Sequence, residues 1–521
     1  MKGPVHQALP DDPETLKALL RKQEDYYQRR IVYLQTKLEK LEAQQRLALL
    51  KRYGVSSEQL SPQERLFDEA EQAVEAPEAE TPISVPAHQK RKPRRAKLPD
   101  SLPRTVHEHT LDDPHCACGG ELTVIGAETS EQLDVIPATV TVIEHRRLKY
   151  ACRCCDAAPK VAPMPAQAIP KSLASPGYLA FVATSKYADG LPLYRLATLM
   201  ARIGIDLPRH TMAGHMVKAG ELLTPLINLM RDHLIGYDLL QMDETPVQVL
   251  KEPGKAAQSK SYMWVMRGGP PGKPAVLYHY APTRSGAVPL TLLEGYSGYL
   301  QSDDYAGYNA VLRRDDIRGV GCWAHARRRF HDALKALPKA QQSRGNRTQM
   351  ALNWITKLYA IERRIKDASA EERHHIRQQE SRPILEAFKI WLDKQSVPPQ
   401  TLLGKAISYV RTDWCRLTTF LDDGRIPIDN NAIENAIRPF AVGRKNWLFA
   451  NSQAGATASA NLYSLIETAK ANGLNEYAYL RYLFTKLPQA NTVADVEALL
   501  PWRVSNDKLQ SALQTTQLAS K

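Results

Sequence analysis

The strongest constraint on the fold is a change of hydrophobic period in the middle of the chain. From about residue 237, helical spacing gives way to short apolar or β-branched runs bounded by Gly and Pro, which predict strands at 239–249, 262–266, 275–280 and 299–302. Helical spacing returns at 324–337 and continues to about residue 420, with breaks predicted at Pro383 and at Pro398-Pro399. The middle of the chain is therefore predicted to be α/β, with a helical insertion at about 336–425.

Helices are predicted on both sides of this region. Residues 178–187 are apolar at helical spacing and end at Asp189-Gly190, residues 193–203 end at Gly204, and Pro208 begins a third helix that runs to 218. Helices joined by a short glycine turn are compatible with a helix-turn-helix within 172–235, although most such pairs are simply packing units. Further helices are predicted around 432–438 and over 458–471.

A seven-residue repeat marks the N-terminal segment, residues 14–53. It consists of two series offset by four and then three residues, Leu20, Tyr27, Leu34, Leu41 and Ala48 in one and Glu24, Ile31, Leu38 and Gln45 in the other. Such a pattern is typical of the a and d positions of a coiled coil, with Lys, Arg and Glu between them. The segment is predicted to be either a self-associating, leucine-zipper-like helix or an amphipathic helix packed on its own chain.

Residues 54–104 have the composition of a flexible linker, with little apolar content and several prolines. An acidic stretch at 72–81 precedes a basic run at 90–97, in which six of eight residues are cationic. The run predicts DNA-phosphate contacts, against the alternative of a solvated charged linker. The residues expected to make these contacts are Lys90, Arg91, Lys92, Arg94 and Arg95.

Charge and hydropathy narrow the class of protein. The 521 residues include 69 Lys and Arg against 56 Asp and Glu, a formal charge of +13, which favours a polyanionic partner such as nucleic acid or an anionic membrane surface. The sequence contains no run of about 18 apolar residues that would predict a membrane span. Residues 1–12 lack the apolar core of a secretory signal. We therefore expect a reducing, cytoplasmic setting.

Five of the seven cysteines lie within 40 positions. An odd, clustered count in an untargeted chain favours a metal site over a disulfide framework. Two close pairs can supply the four ligands of a structural Zn²⁺, so a zinc-binding domain is predicted at 105–165, with strands at 132–137 and 140–143. The best ligand set is Cys116, Cys118, Cys152 and Cys155, with His115 and Cys154 as alternatives.

Acidic residues end two of the predicted strands and begin a later helix. Asp243 lies in an Asp-Glu-Thr segment that ends the first strand, Asp303 follows a later strand 60 residues on, and Glu434 lies at the start of a helical pattern. Taken singly, each is more often a turn or cap acid. Their neighbourhoods, which are rich in Gly and Tyr or in Asn and Arg, favour a shared site.

These segments resemble the transposases of the insertion sequence 66 family of bacterial mobile elements. The similar segments are 242–247 (Met-Asp-Glu-Thr-Pro-Val), 282–286 (Pro-Thr-Arg-Ser-Gly), 300–308 (Leu-Gln-Ser-Asp-Asp-Tyr-Ala-Gly-Tyr), 322–328 (Cys-Trp-Ala-His-Ala-Arg-Arg), 430–434 (Asn-Asn-Ala-Ile-Glu), 437–439 and 443–449. Residues 130–134 and 145–147 of the predicted zinc segment match as well, and the resemblance runs from about residue 16 to 500. Two positions depart from the family pattern: Asn435 stands where the family usually has Arg, and the single spacer between Cys116 and Cys118 occurs in only part of the family.

The resemblance implies a multidomain α/β protein. Its parts are the zipper-like helix, the zinc-binding domain, a ribonuclease-H-like catalytic domain at 236–460 (a mixed sheet flanked by helices, with the helical insertion) and a C-terminal helical domain at 461–505. It also implies a catalytic acid triad, which carries over to Asp243, Asp303 and Glu434 and binds Mg²⁺ or Mn²⁺. His325 resembles a family residue next to the active site, with a purely structural role as the alternative.

The implied activity is DNA transposition. A transposase of this kind binds the terminal inverted repeats of its element, hydrolyses a phosphodiester at the element end and joins the freed 3′-hydroxyl to target DNA by a two-metal-ion mechanism. Phosphate contacts, which confer affinity without sequence information, are expected from Arg327, Arg328, Arg438, Arg444 and Lys445.

The expected partners are double-stranded DNA, further copies of the chain and element-encoded accessory proteins, at the nucleoid of a bacterial cytoplasm; no membrane partner is expected. Two alternatives remain open at this point. One is a zinc-containing DNA-binding regulator without catalysis, and the other is a metal nuclease without strand transfer.

Overall fold

The computed structural model describes residues 12–53, 140–150, 160–338, 341–342 and 345–518. The chain divides into two compact units, Pro77–Pro165 and the combination of Met1–Ala76 with Ala166–Lys521. In the smaller unit, the described residues form an antiparallel pair of short strands, β1 (Lys149–Tyr150) and β2 (Lys160–Val161). Residues 140–143, predicted as a strand, are irregular instead.

A mixed sheet forms the centre of the larger unit. Its strands, within the described residues, are β3 (Leu239–Lys251), β4 (Lys260–Gly268), β5 (Ala275–Ala281), β6 (Gly298–Gln301), β7 (Ile317–Val320) and β8 (Ala450–Ser452). They lie in the order β5-β4-β3-β6-β7, and β8 pairs with the far end of β3. The pairs β3–β4 and β4–β5 are antiparallel, whereas β3–β6 and β6–β7 are parallel. The central strand β3 therefore joins an antiparallel half to a parallel half.

Helices cover both faces of this sheet, which explains why its strands appear in the sequence as continuous apolar runs. In β4, Met263, Trp264, Val265 and Met266 are all buried. The outer strand β5 is covered along its edge, because its backbone N–H groups at Val276 and Tyr278 donate to hydroxyls of a C-terminal helix. This cover removes the open edge that an exposed strand would offer to other chains.

The helices of the larger unit come before, within and after the sheet. Their bounds are α1 (Pro13–Tyr53), α2 (Pro176–Ala183, continued by a π turn at Thr184–Ala188), α3 (Leu193–Arg202), α4 (Arg209–Leu222), α5 (Thr224–Ile235), α6 (Ala287–Leu292), α7 (Asn309–Leu312), α8 (Trp323–Lys335), α9 (Arg347–Arg364), α10 (Ala370–Ile376), α11 (Arg382–Asp393), α12 (Leu402–Thr412), α13 (Trp414–Thr418), α14 (Asn431–Trp447), α15 (Gln453–Ala471), α16 (Glu476–Lys486), α17 (Val493–Glu497) and α18 (Asn506–Leu518). Helices α2 to α5, α15 and α16 share one core with the sheet.

Helices α8, α9 and α11 to α13 form a second core beside the parallel half of the sheet. Its centre is aromatic: Trp323 of α8 and Trp354 of α9 lie with their ring centroids 6.2 and 6.1 Å from that of Phe388. This core gives the long helical insertion an interior of its own. The insertion is attached to the sheet through α8, which starts directly after β7.

Helix α1 extends over 41 residues, as its repeat predicts. Its heptad positions remain about half exposed; Leu20, Tyr27, Leu34 and Leu41 are 48 to 57% exposed. The helix contacts the rest of its unit near its end, where Arg46 Nε donates to the Ala336 carbonyl at 2.6 Å. Among the described residues, no helix combines the length and the apolar content needed to cross a bilayer.

Most elements predicted from periodicity are confirmed, including the strands β3 to β6 and the helices α2 to α4, α8, α14 and α15. The strands β7 and β8 were not predicted. The predicted break at Pro383 is wrong: α10 passes through a π turn at Arg377–Ser381 directly into α11. Pro383 is tolerated because it occupies the first turn of α11, where its missing N–H group costs little.

Candidate active site

The parallel pairing of β3 and β6 brings two acids of the sequence motifs together. Gln241 is in register with Gln301. Asp243 and Asp303 each follow two residues later, so both lie at the same level, just beyond the end of β6. The prediction that Asp243 lies at the end of its strand is wrong, because β3 continues to Lys251 and pairs with β4 beyond this point. A one-residue change in register would remove this alignment, because successive side chains point to opposite faces of a sheet.

Both carboxyl groups lie in surroundings that disfavour negative charge. Asp243 is partly buried and accepts a hydrogen bond of 2.8 Å from the Glu244 backbone N–H. Burial raises the pKa of Asp243 well above its ordinary value, and the carboxylates of Glu244, Asp303 and Glu434 raise it further. Burial also raises the pKa of Asp303, and a 3.0 Å hydrogen bond from the Tyr305 N–H group lowers it by a smaller amount. Acids perturbed in this way are concentrated at functional sites.

Glu434 approaches the same place from a different element. It lies in the first turn of α14 and is 8% exposed. Burial raises its pKa from 4.5 to about 7, with smaller contributions from Asp429 and Asp303, while the cations Arg328 and Arg438 act in the opposite direction. Its Oε1 is buried and accepts no hydrogen bond within the described part of the chain.

His325 of α8 is the neighbour of Glu434. Its Nε2 lies 3.8 Å from Glu434 Oε1, beyond hydrogen-bond range. Burial, followed by the charge of Arg328, lowers the pKa of His325 to about 4. The imidazole is therefore neutral near pH 7, and its pairing with Glu434 is not an ion pair at that pH.

The donor chemistry fits a hard divalent cation, although the carboxylates do not form a preorganised cage. Mg²⁺ prefers carboxylate oxygens and water, and the unpartnered Oε1 of Glu434 is a carboxylate oxygen of this type. Among the described residues, however, no three His, Cys, Asp or Glu side chains lie close enough together to bind a metal ion. Binding a cation would require the carboxylates to approach one another or to share it with substrate oxygens.

The cationic residues predicted to contact DNA have different surroundings. Arg328 and Arg438 both act on the pKa of Glu434, so they border the acid cluster. Arg444 donates to Thr245 Oγ1 at 3.1 Å and to the Pro246 carbonyl, just beyond Asp243 on β3. Lys445 is exposed. Arg327 differs, because its charge lowers the pKa of Tyr359, which lies in the helical insertion.

Two groups of predicted site residues lie outside the described part of the chain. One is the basic run formed by Lys90, Arg91, Lys92, Arg94 and Arg95. The other is the zinc-ligand set formed by Cys116, Cys118, Cys152 and Cys155, with the alternatives His115 and Cys154. Both therefore stay predictions.

Sequence reasoning assigned no role to Glu244, although the structure places it beside the acid pair. Its side chain is 1% exposed and lies 2.5 Å from Arg284 Nη2. Tyr308 donates to its second carboxylate oxygen at 2.7 Å. The sequence did contain a signal for this cluster. Glu244, Arg284 and Tyr308 lie within the segments 242–247, 282–286 and 300–308, which resemble the family motifs.

A buried glutamine pair lies directly beneath the acids. Gln241 Nε2 donates to Gln301 Oε1 at 2.6 Å, and Gln301 Nε2 donates to the carbonyls of Gly321 and Pro427 at 3.2 and 3.1 Å. Gln301 is 0% exposed. This amide connects β3, β6 and the segment leading to α14, the three parts of the chain that carry Asp243, Asp303 and Glu434.

Models of protein families match most of the chain. Residues 171–458 match the model described as "Transposase IS66 family" and residues 464–502 match "IS66 C-terminal element". Residues 113–156 match "zinc-finger binding domain of transposase IS66". Residues 40–106 match "Transposase C of IS166 homeodomain", which includes the segment interpreted above as a linker.

Three relatives from Sinorhizobium fredii (strain NBRC 101917 / NGR234) are similar over most of their length. The uncharacterized protein y4jD is 33% identical, with 80% of this chain and 83% of the relative covered. The uncharacterized proteins y4qI and y4hP are each 32% identical, covering 88 and 91% of this chain and 86 and 88% of the relatives. No solved structure matches the chain.

Proposed function

We propose, from the premise that this chain belongs to the IS66 transposase family, that it is a DNA transposase with a catalytic centre formed by Asp243, Asp303 and Glu434. One observation carries the proposal: three carboxyl groups from separate segments lie close enough for two of them to raise the pKa of the third. Neighbouring carboxylates repel one another unless a cation binds between them, and divalent cations are what a centre that cleaves phosphodiesters uses.

We also propose that the sheet is a ribonuclease-H-like core. The strand order supports this: an antiparallel meander of β3, β4 and β5 is followed by β6 and β7, which are parallel to β3 on its other side. In this arrangement the central strand and its parallel neighbour carry the first two acids. The third acid is supplied by a helix, α14, that follows the insertion.

The residues that would hold Mg²⁺ or Mn²⁺ are Asp243, Asp303 and Glu434. Divalent ions held there would supply activation of the attacking oxygen and stabilisation of the leaving oxygen of the phosphodiester. Substrate phosphates and water complete the coordination of Mg²⁺ in many protein sites. This property is consistent with carboxylates that lie near one another without forming a closed cage.

The protein's own side chains supply the remaining chemistry. Without a bound cation, burial raises the pKa of Glu434 to about 7, so a cation that binds there would release the proton that this carboxyl group holds at lower pH. The neutral His325 can accept a hydrogen bond from water through one ring nitrogen, or donate one to a phosphate oxygen through the other, without adding charge. Arg328 and Arg438 lie beside Glu434, where they would bind DNA phosphates that enter the centre.

The other parts of the chain support recognition and assembly. The match to a zinc-finger model supports a structural Zn²⁺ held by Cys116, Cys118, Cys152 and Cys155. The exposed heptad positions of α1 support self-association through a coiled coil. We infer that the assembled protein acts on element ends and target DNA at the bacterial nucleoid, and that accessory proteins of the element take part.

The test replaces each acid by Ala and assays a DNA fragment that carries the inverted repeats flanking the gene. Asp243→Ala, Asp303→Ala and Glu434→Ala are expected to abolish Mg²⁺-dependent cleavage and joining while DNA binding persists. Asp304→Ala is the matched control, since Asp304 follows Asp303 directly but is exposed and paired with Arg329 at 2.6 Å.

Each alternative function corresponds to a different result. Cleavage without joined products would favour a nuclease, and binding without any cleavage would favour a regulator. Strand transfer by a folded variant that lacks one of the three acids would refute the proposed centre.

A further inference from the structure

Arg284 lies in the loop between β5 and α6 and is held in place on more than one side. Its Nε donates to Glu244 Oε1 at 2.7 Å, and its Nη2 lies 2.5 Å from the same oxygen. The guanidinium carbon lies 3.6 Å from the ring centroid of Tyr305, and the Tyr305 hydroxyl donates to the Arg284 carbonyl. A long side chain that would otherwise sample many rotamers is thereby confined to one.

Two glycines allow this loop to lie against the loop that follows β6. A Cβ atom on Gly286 would lie 2.8 Å from the Gly307 carbonyl oxygen, and a Cβ on Gly307 would overlap the Tyr305 ring. Both positions therefore need Gly for steric reasons. The close approach brings the Arg284 loop to the segment that carries Asp303.

The partners of Arg284 are the sequence neighbours of the proposed catalytic acids. Glu244 directly follows Asp243, and Tyr305 donates its backbone N–H to Asp303 Oδ1 at 3.0 Å. Arg284 is also near Asp303 itself: burial raises the pKa of Asp303, and the charge of Arg284 partly offsets this effect. The guanidinium therefore lies next to Asp243 and Asp303, and its charge affects Asp303 directly.

The guanidinium keeps donors that the protein does not use. It carries five N–H groups, and Glu244 accepts from Nε and Nη2. The described part of the chain provides no acceptor for the others. The side chain is 40% exposed, whereas that of Glu244 is 1% exposed. A fixed, partly exposed guanidinium edge matches the geometry of a phosphate, which arginine binds through paired N–H groups.

We propose that Arg284 is a phosphate-binding residue of the catalytic centre, where its free N–H groups bind a non-bridging oxygen of the DNA backbone beside Asp303. This inference rests on the proposed function, because it requires DNA to reach Asp243 and Asp303. Glu244 and Tyr305 are then positioning residues that hold the guanidinium. The simpler alternative is that Arg284 only neutralises the buried charge of Glu244.

A charge-neutral double variant separates the two roles. Arg284→Gln combined with Glu244→Gln removes the cation together with the anion that it neutralises, so the net charge is unchanged. The matched control is Arg364→Gln with Glu380→Gln, which removes a pair joined at 2.5 Å between α9 and the π turn of the helical insertion. Urea unfolding of both double variants establishes that they fold.

Binding of a random-sequence DNA duplex to the full chain is measured by fluorescence anisotropy over a series of KCl concentrations, without added Mg²⁺. Losing one phosphate contact is expected to weaken binding and to reduce the slope of log K against log salt, by at most about 0.9, because Glu244 partly neutralises Arg284 in the wild type. The control variant should retain the wild-type slope. An unchanged slope in the Arg284→Gln/Glu244→Gln variant would overturn the proposal, since neutralisation would then be the only role of Arg284.

Two further variants keep the outcome decisive. Asp243→Asn should tighten binding of the same duplex, because it removes a negative charge beside the backbone; no change would refute the placing of DNA at this centre and thus the proposed function itself. If the double variant did not fold, Arg284→Lys would decide the matter. It keeps the charge next to Glu244 but loses the paired N–H geometry, so several-fold weaker binding supports phosphate contact and wild-type binding refutes it.

Discussion

Replacing Glu434 by Gln is expected to stabilise the metal-free protein at alkaline pH. Glu434 is 8% exposed, and its Oε1 accepts no hydrogen bond within the described residues. Burial raises its pKa from 4.5 to about 7, so the folded protein resists ionising a group that ionises freely once unfolded. Gln preserves the shape of the side chain and removes the charge.

The magnitude and the sign follow from linkage. Between pH 4.5 and 7 the folded state binds more protons at this site than the unfolded state, so stability falls as pH rises through this window and the full cost persists above it. A pKa difference of about 2.5 units corresponds to about 3 kcal/mol, at 1.36 kcal/mol per unit. Glu434→Gln should therefore match the wild type near pH 4 and exceed it by about 3 kcal/mol at pH 8.

Urea unfolding in EDTA, followed by tryptophan fluorescence over a pH series, measures this difference. The signal reports the larger unit alone, because all seven tryptophans lie there: Trp264, Trp323, Trp354, Trp391, Trp414, Trp447 and Trp502. The lowered pKa of His325 adds its own pH dependence, but wild type and variant share that residue, so the comparison between them isolates Glu434.

Glu362→Gln is the matched control. The two side chains are similarly exposed, at 10% for Glu362 and 9% for Glu434. Glu362, however, pairs at 2.6 Å with the fully buried Arg377. Removing this anion leaves a buried cation unpaired and should destabilise the protein by about 3–5 kcal/mol at pH 7. The same substitution thus has opposite signs at the two sites. Equal stability of Glu434→Gln and wild type at every pH would refute the reasoning.

Three further predictions concern the same centre. Mg²⁺ should raise the unfolding temperature of the wild type but not of Asp243→Asn; an equal rise in both would mean that the ion binds elsewhere. Gly307→Ala should lower stability by about 1–3 kcal/mol, because the new methyl group overlaps the Tyr305 ring. Gly345→Ala, whose new methyl group meets no atom within 4 Å in the part of the chain that the structure describes, should have little effect in the same urea assay. Gln301→Leu should lower the free energy of unfolding by about 1–3 kcal/mol, because it leaves buried carbonyl and amide groups without their hydrogen-bond partners. A variant as stable as the wild type would refute a role for the amide network.

The elements around the acids could be predicted because their signals are local. Apolar runs bounded by Gly and Pro predicted β3 to β6, and helical spacing with a polar start predicted α14. The strands β7 and β8 were missed because they span four and three residues, too few to show a period. The break predicted at Pro383 failed because a π turn changed the backbone pattern before it, and periodicity does not reveal such a turn.

The candidate site was only partly accessible from the sequence. The segments that resemble family motifs singled out Asp243, Asp303 and Glu434, but pairing between strands decided that the first two lie side by side. No sequence pattern distinguished Arg328, which borders Glu434, from Arg327, which acts on Tyr359 of the insertion. One residue along a helix turns a side chain by about 100°, so the direction each faces depends on what packs around the helix.

The sequence by itself determined most of the strands and helices around the acids, the segments in which the acids lie and the family that the motifs resemble. These properties depend on residue type and spacing over a few turns or strands. Only the tertiary structure decided that Arg284 contacts Glu244 and Tyr305, and that Gln301 connects the three segments that carry Asp243, Asp303 and Glu434. Such contacts join residues that are tens to more than a hundred positions apart, and their geometry is set by strand register and by packing of the core.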